Sequence, residues 1–390
     1  SIELLPGDIQ DWSSAGLSQD QPFLLQEENL GVPVKVLYKL YVYASRQFSP
    51  CLKAYRAGPS STAAKSVASL SSIIILASPA HQTALNARKM LIQNSQLNPS
   101  AELELTIHFL TASKDGAKQS ALWDHRRWLL QRMYPSPYAQ PPARKRPRGW
   151  STDVPRCPAL PPSVIEQELS LALRACEMYP RNYHAWAYRH TIFESIINKL
   201  DDADASEDQS SELLALAEQE TQTIMSWIDR HVSDYTAMQH LCSIVLAFSP
   251  HLHRLHEQRM RERDEGHPGP LSDPHVLTEH AMDLLRTYPQ HEALSRYLQL
   301  TLRMFELPTE VRKRAEELLE AVCIMVSCFR VVLNDINLKA LIIRVYAIDE
   351  EVPLVRALDP QRADLLTSTQ DTAYKQDRIH GVLKLLLFPK

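Results

Sequence analysis

The sequence predicts an all-α protein: an α-α superhelix, or solenoid, of helical-hairpin repeats. Three observations predict it. Glycine is scarce, 9 residues in 390 against 26 prolines, where average usage is roughly 7% glycine; turn-rich β-sandwiches and barrels use more. Apolar residues recur at spacings of three and four, and strand-like alternation is rare. A short element with Trp and Arg three residues apart recurs at the starts of helical stretches.

Residues 1–33 are polar, with Pro6, Gly7 and Gly16, and read as an extended or loop segment. Helical patterning begins near Val34 and the repeat domain is expected to run from 34 to 390. Residues 62–78 and 81–95 form two helices joined at Ser78-Pro79. Further stripes fall in 163–179 (Ile165, Leu169, Ala172, Cys176) and 182–200 (Tyr183, Trp186, His190, Phe193, Ile197, Leu200). Others fall in 211–229, in 276–288 (Leu277 to Tyr288) and in 310–333. Three stretches lack core-forming pattern and read as solvated insertions: 135–162, 201–211 and 250–275.

The totals exclude several function classes. No G-x-G-x-x-G, no P-loop and no G-x-S-x-G occurs. Net charge is −4, which gives no general case for nucleic acid or an anionic membrane. The longest apolar run, around Val67–Ala77, is interrupted by serines and too short to span a bilayer. Six cysteines without a C-x-x-C read as reduced, core-type thiols, Cys323 and Cys328 among them, and a cytoplasmic setting is expected. His251-x-His253-x-x-His256 could suggest a metal but lies in a charged stretch without acidic or Cys ligands at useful spacing, and reads as a solvated loop. The basic knot 144–148 reads the same way.

The repeated element is clearest at Arg181-Asn182-Tyr183-His184-Ala185-Trp186-Ala187-Tyr188-Arg189, after Met178-Tyr179-Pro180. A second copy is Trp123-Asp124-His125-Arg126-Arg127-Trp128; weaker ones start at Leu85, Ser233 and Tyr288. Trp and Arg three apart share a helix face. Trp123 and Trp186 can fill the seams between hairpins. Arg126 and Arg189 can reach carbonyls or carboxylates of the adjoining helix. These four residues read as structural.

The element resembles the repeat of protein prenyltransferase α subunits, over roughly residues 80–300. The weak late repeats and the segment Glu27–Val32 point to a divergent member. The resemblance implies a crescent of hairpins around a separate β subunit, with no cofactor in this chain and zinc in that partner. It implies attack of a zinc-bound cysteine thiolate of a protein substrate on a prenyl diphosphate, and the Rab geranylgeranyltransferase β subunit as partner. Lys118, five residues before Trp123, matches a family lysine that assists the leaving diphosphate, although Gln119 and Ser120 replace the Asn and Tyr that follow it in the family. Asn182, Tyr183 and His184 match the family triplet that faces the diphosphate. Lys118 and His184 are thus the expected catalytic pair, with Tyr183 and Asn182 as binding residues. Two alternatives stay open: the common α subunit of farnesyltransferase and type I geranylgeranyltransferase, and a helical adaptor without chemistry.

Overall fold

The computed structural model describes residues 1–135, 158–200, 207–248, 251 and 275–334. The chain divides into two compact units, Ser1–Ala315 and Glu316–Lys390. Of the second, the described part is the latter portion of one helix.

The first 33 residues are more ordered than their polarity suggests. Strands β1 (Ile2–Leu5), β2 (Leu24–Gln26) and β3 (Asn29–Pro33) form a small sheet with β3 in the middle, parallel to β1 and antiparallel to β2. A two-residue turn joins β2 to β3, with Glu27 and Glu28 both at positive φ. Such turns normally carry Asn or Gly. Without them the hairpin is invisible in the sequence.

Thirteen described helices follow. α1 (Val34–Ala57) packs on α2 (Ser61–Ala77). α2 pairs with α3 (Gln82–Gln93), and α4 (Pro99–Thr111) with α6 (Ser120–Met133), the single-turn α5 (Lys114–Ala117) lying between. Then come the pairs α7 (Pro162–Met178) and α8 (Tyr183–Leu200), α9 (Glu207–Arg230) and α10 (Tyr235–Phe248), and α11 (His275–Thr287) and α12 (Glu292–Met304). α13 (Thr309–Asn334) is last. The second helices touch in chain order, α3, α6, α8, α10, α12, as do the first helices α4, α7 and α9. This is the expected all-α hairpin array.

Several boundaries differ from the sequence reading. α9 begins at Glu207, within the stretch taken for an acidic insertion, and α11 begins at His275. Leu160, in the proline-rich stretch, is fully buried. The His253–His256 pattern and the basic knot lie outside the described residues. Tyr183 and Tyr288 leave their stripes and are exposed, and Cys323 is exposed rather than core. Burial pushes the thiol of Cys176 up to about 12 and that of Cys242 higher still. α4 carried no readable stripe because polar residues Glu102, Thr106 and Thr111 occupy its buried face.

Those buried polar groups belong to a recurrent interaction. Arg88 of α3 makes a two-pronged ion pair with Glu102 of α4, at 2.7 and 2.5 Å, and donates to the Ala68 carbonyl and to Ser71 and Ser72 of α2. One repeat later Arg126 of α6 pairs with Glu168 of α7, at 2.6 and 2.7 Å, and donates to the Leu103 carbonyl and Thr106 of α4. Again, Arg189 of α8 pairs with Glu220 of α9 and donates to the Leu169 carbonyl of α7. Each arginine thus binds the first helix of its own repeat and the first helix of the next. The carboxylates have further donors: His125 at 2.9 Å from Glu102, and Tyr188 at 2.6 Å from Glu168. Arg126, Arg189, Glu102 and Glu168 are almost fully buried, which only well-satisfied charges tolerate.

The fourth junction breaks the pattern. In register with Arg189 and Glu168 stand Leu241 and Leu277, the latter the same distance before Tyr288-Pro289 as Glu168 is before Tyr179-Pro180. Both leucines are fully buried. Buried leucines thus stand at the two register positions that carry the ion pair in the earlier repeats.

Two predictions follow from this framework. Arg189→Met leaves Glu220 buried without its partner and should cost about 3–5 kcal/mol in urea unfolding. The double variant Arg189→Leu, Glu220→Leu, which copies the fourth junction, should recover most of that loss. Acid should also weaken the fold in two stages. Burial keeps His125 and His240 below the usual histidine value of 6.5, so an unfolded chain takes up protons there that the fold excludes. Stability should fall as pH drops through 6.5. For Glu102, burial opposes ionisation, but hydrogen bonds and charge from His125 and Arg88 hold it down to about 2. Its contribution is complete above the free value of 4.5 and is lost as pH falls from there toward 2. Urea midpoints measured across this range should decline in both windows, with His240→Phe reducing the first decline.

Candidate functional site

The candidate residues sit where second helices begin. Lys118 directly follows α5, two positions before the first residue of α6, and its position depends on Gly116. A Cβ at Gly116 would stand 2.1 Å from the Phe109 carbonyl oxygen of α4, so only glycine lets α5 lie this close. Ser113 caps α5 by accepting from the Gly116 amide at 3.0 Å. The half-exposed Lys118 ammonium pairs with Asp115 at 2.6 Å. That hydrogen bond, with the Asp115 charge, raises the lysine above its ordinary value.

Asn182 joins this loop to the start of α8. Its side-chain amide donates to the Ala117 carbonyl at 2.8 Å, while its oxygen accepts from the Ala185 amide at 3.1 Å. The Trp123 indole donates to the same Ala117 carbonyl at 2.8 Å. One carbonyl, adjacent to Lys118, thus receives the Trp of one repeat and the helix cap of the next. Asn182 is fully buried and both ends of its amide are engaged within the fold. It sets the positions of its neighbours, whereas the resemblance implied that it faces the diphosphate together with Tyr183 and His184.

Tyr183 does face solvent, at 66% exposure, with its ring edge-on to His184 at 5.5 Å. His184 is half-buried. Before them Arg181 holds a left-handed φ of 59°, which turns the chain sharply into α8. Arg181 and Lys118 occupy the same register position in successive repeats. The structure therefore places Lys118 and the Tyr183–His184 pair at the starts of adjacent second helices, with the Asn182–Ala117 bond between them.

Trp123, Arg126, Trp186 and Arg189 are all buried, with the partners the repeat needs. The Trp186 indole donates to Asp234 at 3.1 Å, as does Trp227. Asp234 takes the place of Asn182 and caps Ala237 at 3.3 Å. Sequence reasoning found the arginines but missed Glu102, Glu168 and Glu220. The available signal was a glutamate within an otherwise apolar first-helix stripe, directly before Leu103, Leu169 or Thr221. Among the described residues no group of His, Cys, Asp and Glu could hold a metal ion, and no helix is long and apolar enough to cross a membrane.

The Trp123 indole and the Asn182 cap share one carbonyl, the Trp186 indole bonds the Asp234 cap, and a buried arginine stands at each of the first three junctions. Residues 165–196, spanning most of α7 and α8, match the family model described as protein prenyltransferase alpha subunit repeat. The chain is 25% identical over 288 residues to protein prenyltransferase alpha subunit repeat-containing protein 1 of Danio rerio, covering 70% of this chain and 62% of that protein. It is 25% identical over 292 residues to the Homo sapiens protein of the same name, covering 70% and 66%. With the 1-B form of Xenopus laevis it shares 27% over 167 residues, covering 43% and 34%. The chain spans less than two thirds of the length of the first two relatives it matches that closely in Danio rerio and Xenopus laevis. Over part of its length the chain is therefore similar to proteins named for the protein prenyltransferase alpha subunit repeat, and residues 165–196 match that repeat.

Removing the cap and removing the exposed ring should have opposite signatures. Asn182→Ala deletes a helix cap and a buried hydrogen bond and should cost about 1–3 kcal/mol. Tyr183→Ala should change the urea midpoint by no more than about 0.5 kcal/mol equivalent.

Proposed function

We propose that the chain is the α subunit of a heterodimeric protein prenyltransferase, of the geranylgeranyl type. In this reading it scaffolds a β subunit that carries the zinc, with the Rab geranylgeranyltransferase β subunit as the first candidate. The zinc supplies a thiolate from the cysteine of the protein substrate. This chain contributes charge and hydrogen bonds to the departing diphosphate of the prenyl donor.

The observation that carries the reading is the pairing of Lys118 with Tyr183 and His184 on adjacent second-helix starts, fixed by the Asn182–Ala117 bond. A diphosphate leaving group gains negative charge as its bond to carbon breaks. Fixed donors aimed at it lower the barrier because they need no reorganisation. Lys118 offers an ammonium, Tyr183 a hydroxyl and His184 a ring N–H. The ammonium must exchange Asp115 for phosphate, which is feasible for a half-exposed pair of small net value. With 9 glycines in the chain and no phosphate-type glycine loop, side chains rather than backbone amides have to grip the anion.

The Lys118–Asp115 pair equally favours a second reading, an adaptor that keeps the repeat fold without chemistry, since the lysine already has a partner. Coexpression with candidate β subunits, followed by transfer assays with farnesyl and geranylgeranyl diphosphate, separates the two. The enzyme reading expects a stable heterodimer and transfer of the longer isoprenoid. No complex with any β subunit overturns it. Within an active complex, Lys118→Ala should lower turnover by about 10²-fold, in the range for loss of one transition-state donor, with assembly unchanged.

A further inference from the structure

A long acid-free stretch lies far in sequence from the candidate site. Between Glu28 and Glu102 there is no acidic residue, against eight Lys and Arg. The whole chain nevertheless has net charge −4. Five of the eight cations lie on α1: Lys35, Lys39, Arg46, Lys53 and Arg56, all exposed. At about 100° per residue, the first four fall within an arc of roughly 40° and extend about 27 Å along the helix. Lys39, Arg46 and Lys53 are seven residues apart. Two exposed aromatic rings flank the row, Tyr38 on one side and Tyr43 on the other. The opposite face of α1, with Val36, Leu37, Ala44, Phe48, Leu52 and Tyr55, is buried in the packing around α2 and β3.

Among the described residues only Lys39 has an acidic partner, a long 3.9 Å contact with Asp8, and Lys39 stays 69% exposed. Like charges in a straight row repel. A helix bearing such a row with no intrahelical acids forgoes the Glu–Lys pairs that surface helices ordinarily use. The row makes sense when something anionic covers it.

We propose that the outer face of α1 docks an acidic helical segment of a partner protein. Seven-residue spacing matches carboxylates that recur every two turns on an opposing helix, as flanking charges do in coiled coils. Tyr38 and Tyr43 supply amphipathic contact area on both sides of the seam. A broad polyanion fits less well. Residues 1–28 hold six acids, Glu3, Asp8, Asp11, Asp20, Glu27 and Glu28, and no Lys or Arg. This segment abuts the start of α1, where the Gly7 carbonyl accepts from the Lys35 amide at 3.1 Å. A bilayer or a nucleic-acid backbone laid over the face would meet those acids as well. A narrow acidic helix, following the row, would not.

The test uses the full chain and three labelled probes. One is a synthetic helical peptide of about six turns with glutamates at seven-residue spacing. The others are a single-stranded uridine oligomer and phosphatidylcholine vesicles containing phosphatidylserine. The peptide should bind, with affinity falling as salt rises. Arg46→Glu with Lys53→Glu should weaken it about tenfold, and a matching peptide with lysines replacing glutamates should bind that double variant instead. Far-ultraviolet circular dichroism should be unchanged, since both side chains are exposed. Peptide binding that is absent, or indifferent to the charge reversal, overturns the proposal. So does binding of the oligomer or the vesicles as strong as that of the peptide and equally lost on reversal.

Discussion

A buried guanidinium sharing itself between two first helices is the constraint on which the array depends. Arg88, Arg126 and Arg189 each take one backbone carbonyl from their own repeat and one carboxylate from the next. Apolar seams alone would let successive hairpins slide, because hydrophobic contact has no direction. The planar fork of arginine against a carboxylate does have direction, and it leaves one register. The ion pair costs desolvation that its attraction roughly offsets, so its value lies in specifying the stack more than in stabilising it.

That constraint also explains how the candidate site is held. Each repeat must present its second helix at a fixed angle, and the bonds of the Trp and of the cap residue do this within a turn or two of the Arg. Trp123 and Asn182 converge on the Ala117 carbonyl, and Trp186 converges on Asp234. Lys118 and Tyr183 are exposed beside these bonds while their backbones are pinned by them.

Much of the fold was legible because the second helices repeat their sequence, and Trp186 and Arg189 announce the geometry they need. First helices were harder. α4 hides because its buried positions include Glu102, Thr106 and Thr111, which a periodicity search counts as polar, although Glu102 meets Arg88, Thr106 meets Arg126 and Thr111 bonds the Ile107 carbonyl. The β2–β3 hairpin hides because Glu27 and Glu28 adopt a turn conformation usually marked by Asn or Gly. By its spacing Tyr183 lies on the apolar stripe of 182–200, while the resemblance makes it a binding residue. Its exposure follows from its place at the first turn of α8, beyond the reach of the neighbouring helix. In the site, the chemistry-bearing residue types were visible, but Asn182 as an internal tie was not, since its acceptor is a backbone carbonyl 65 positions away in the chain.

The leucines at the fourth junction give the array an uneven response to heat. The penalty for burying charge falls as temperature rises, whereas the driving force for apolar burial levels off. Junctions built on Arg88, Arg126 and Arg189 therefore hold their relative strength on warming, and the one built around Leu241 and Leu277 does not gain in the same way. Warming thus selects where the stack parts. On that ground the hairpin of α11 and α12 is expected to separate from the preceding repeats before those repeats separate from one another.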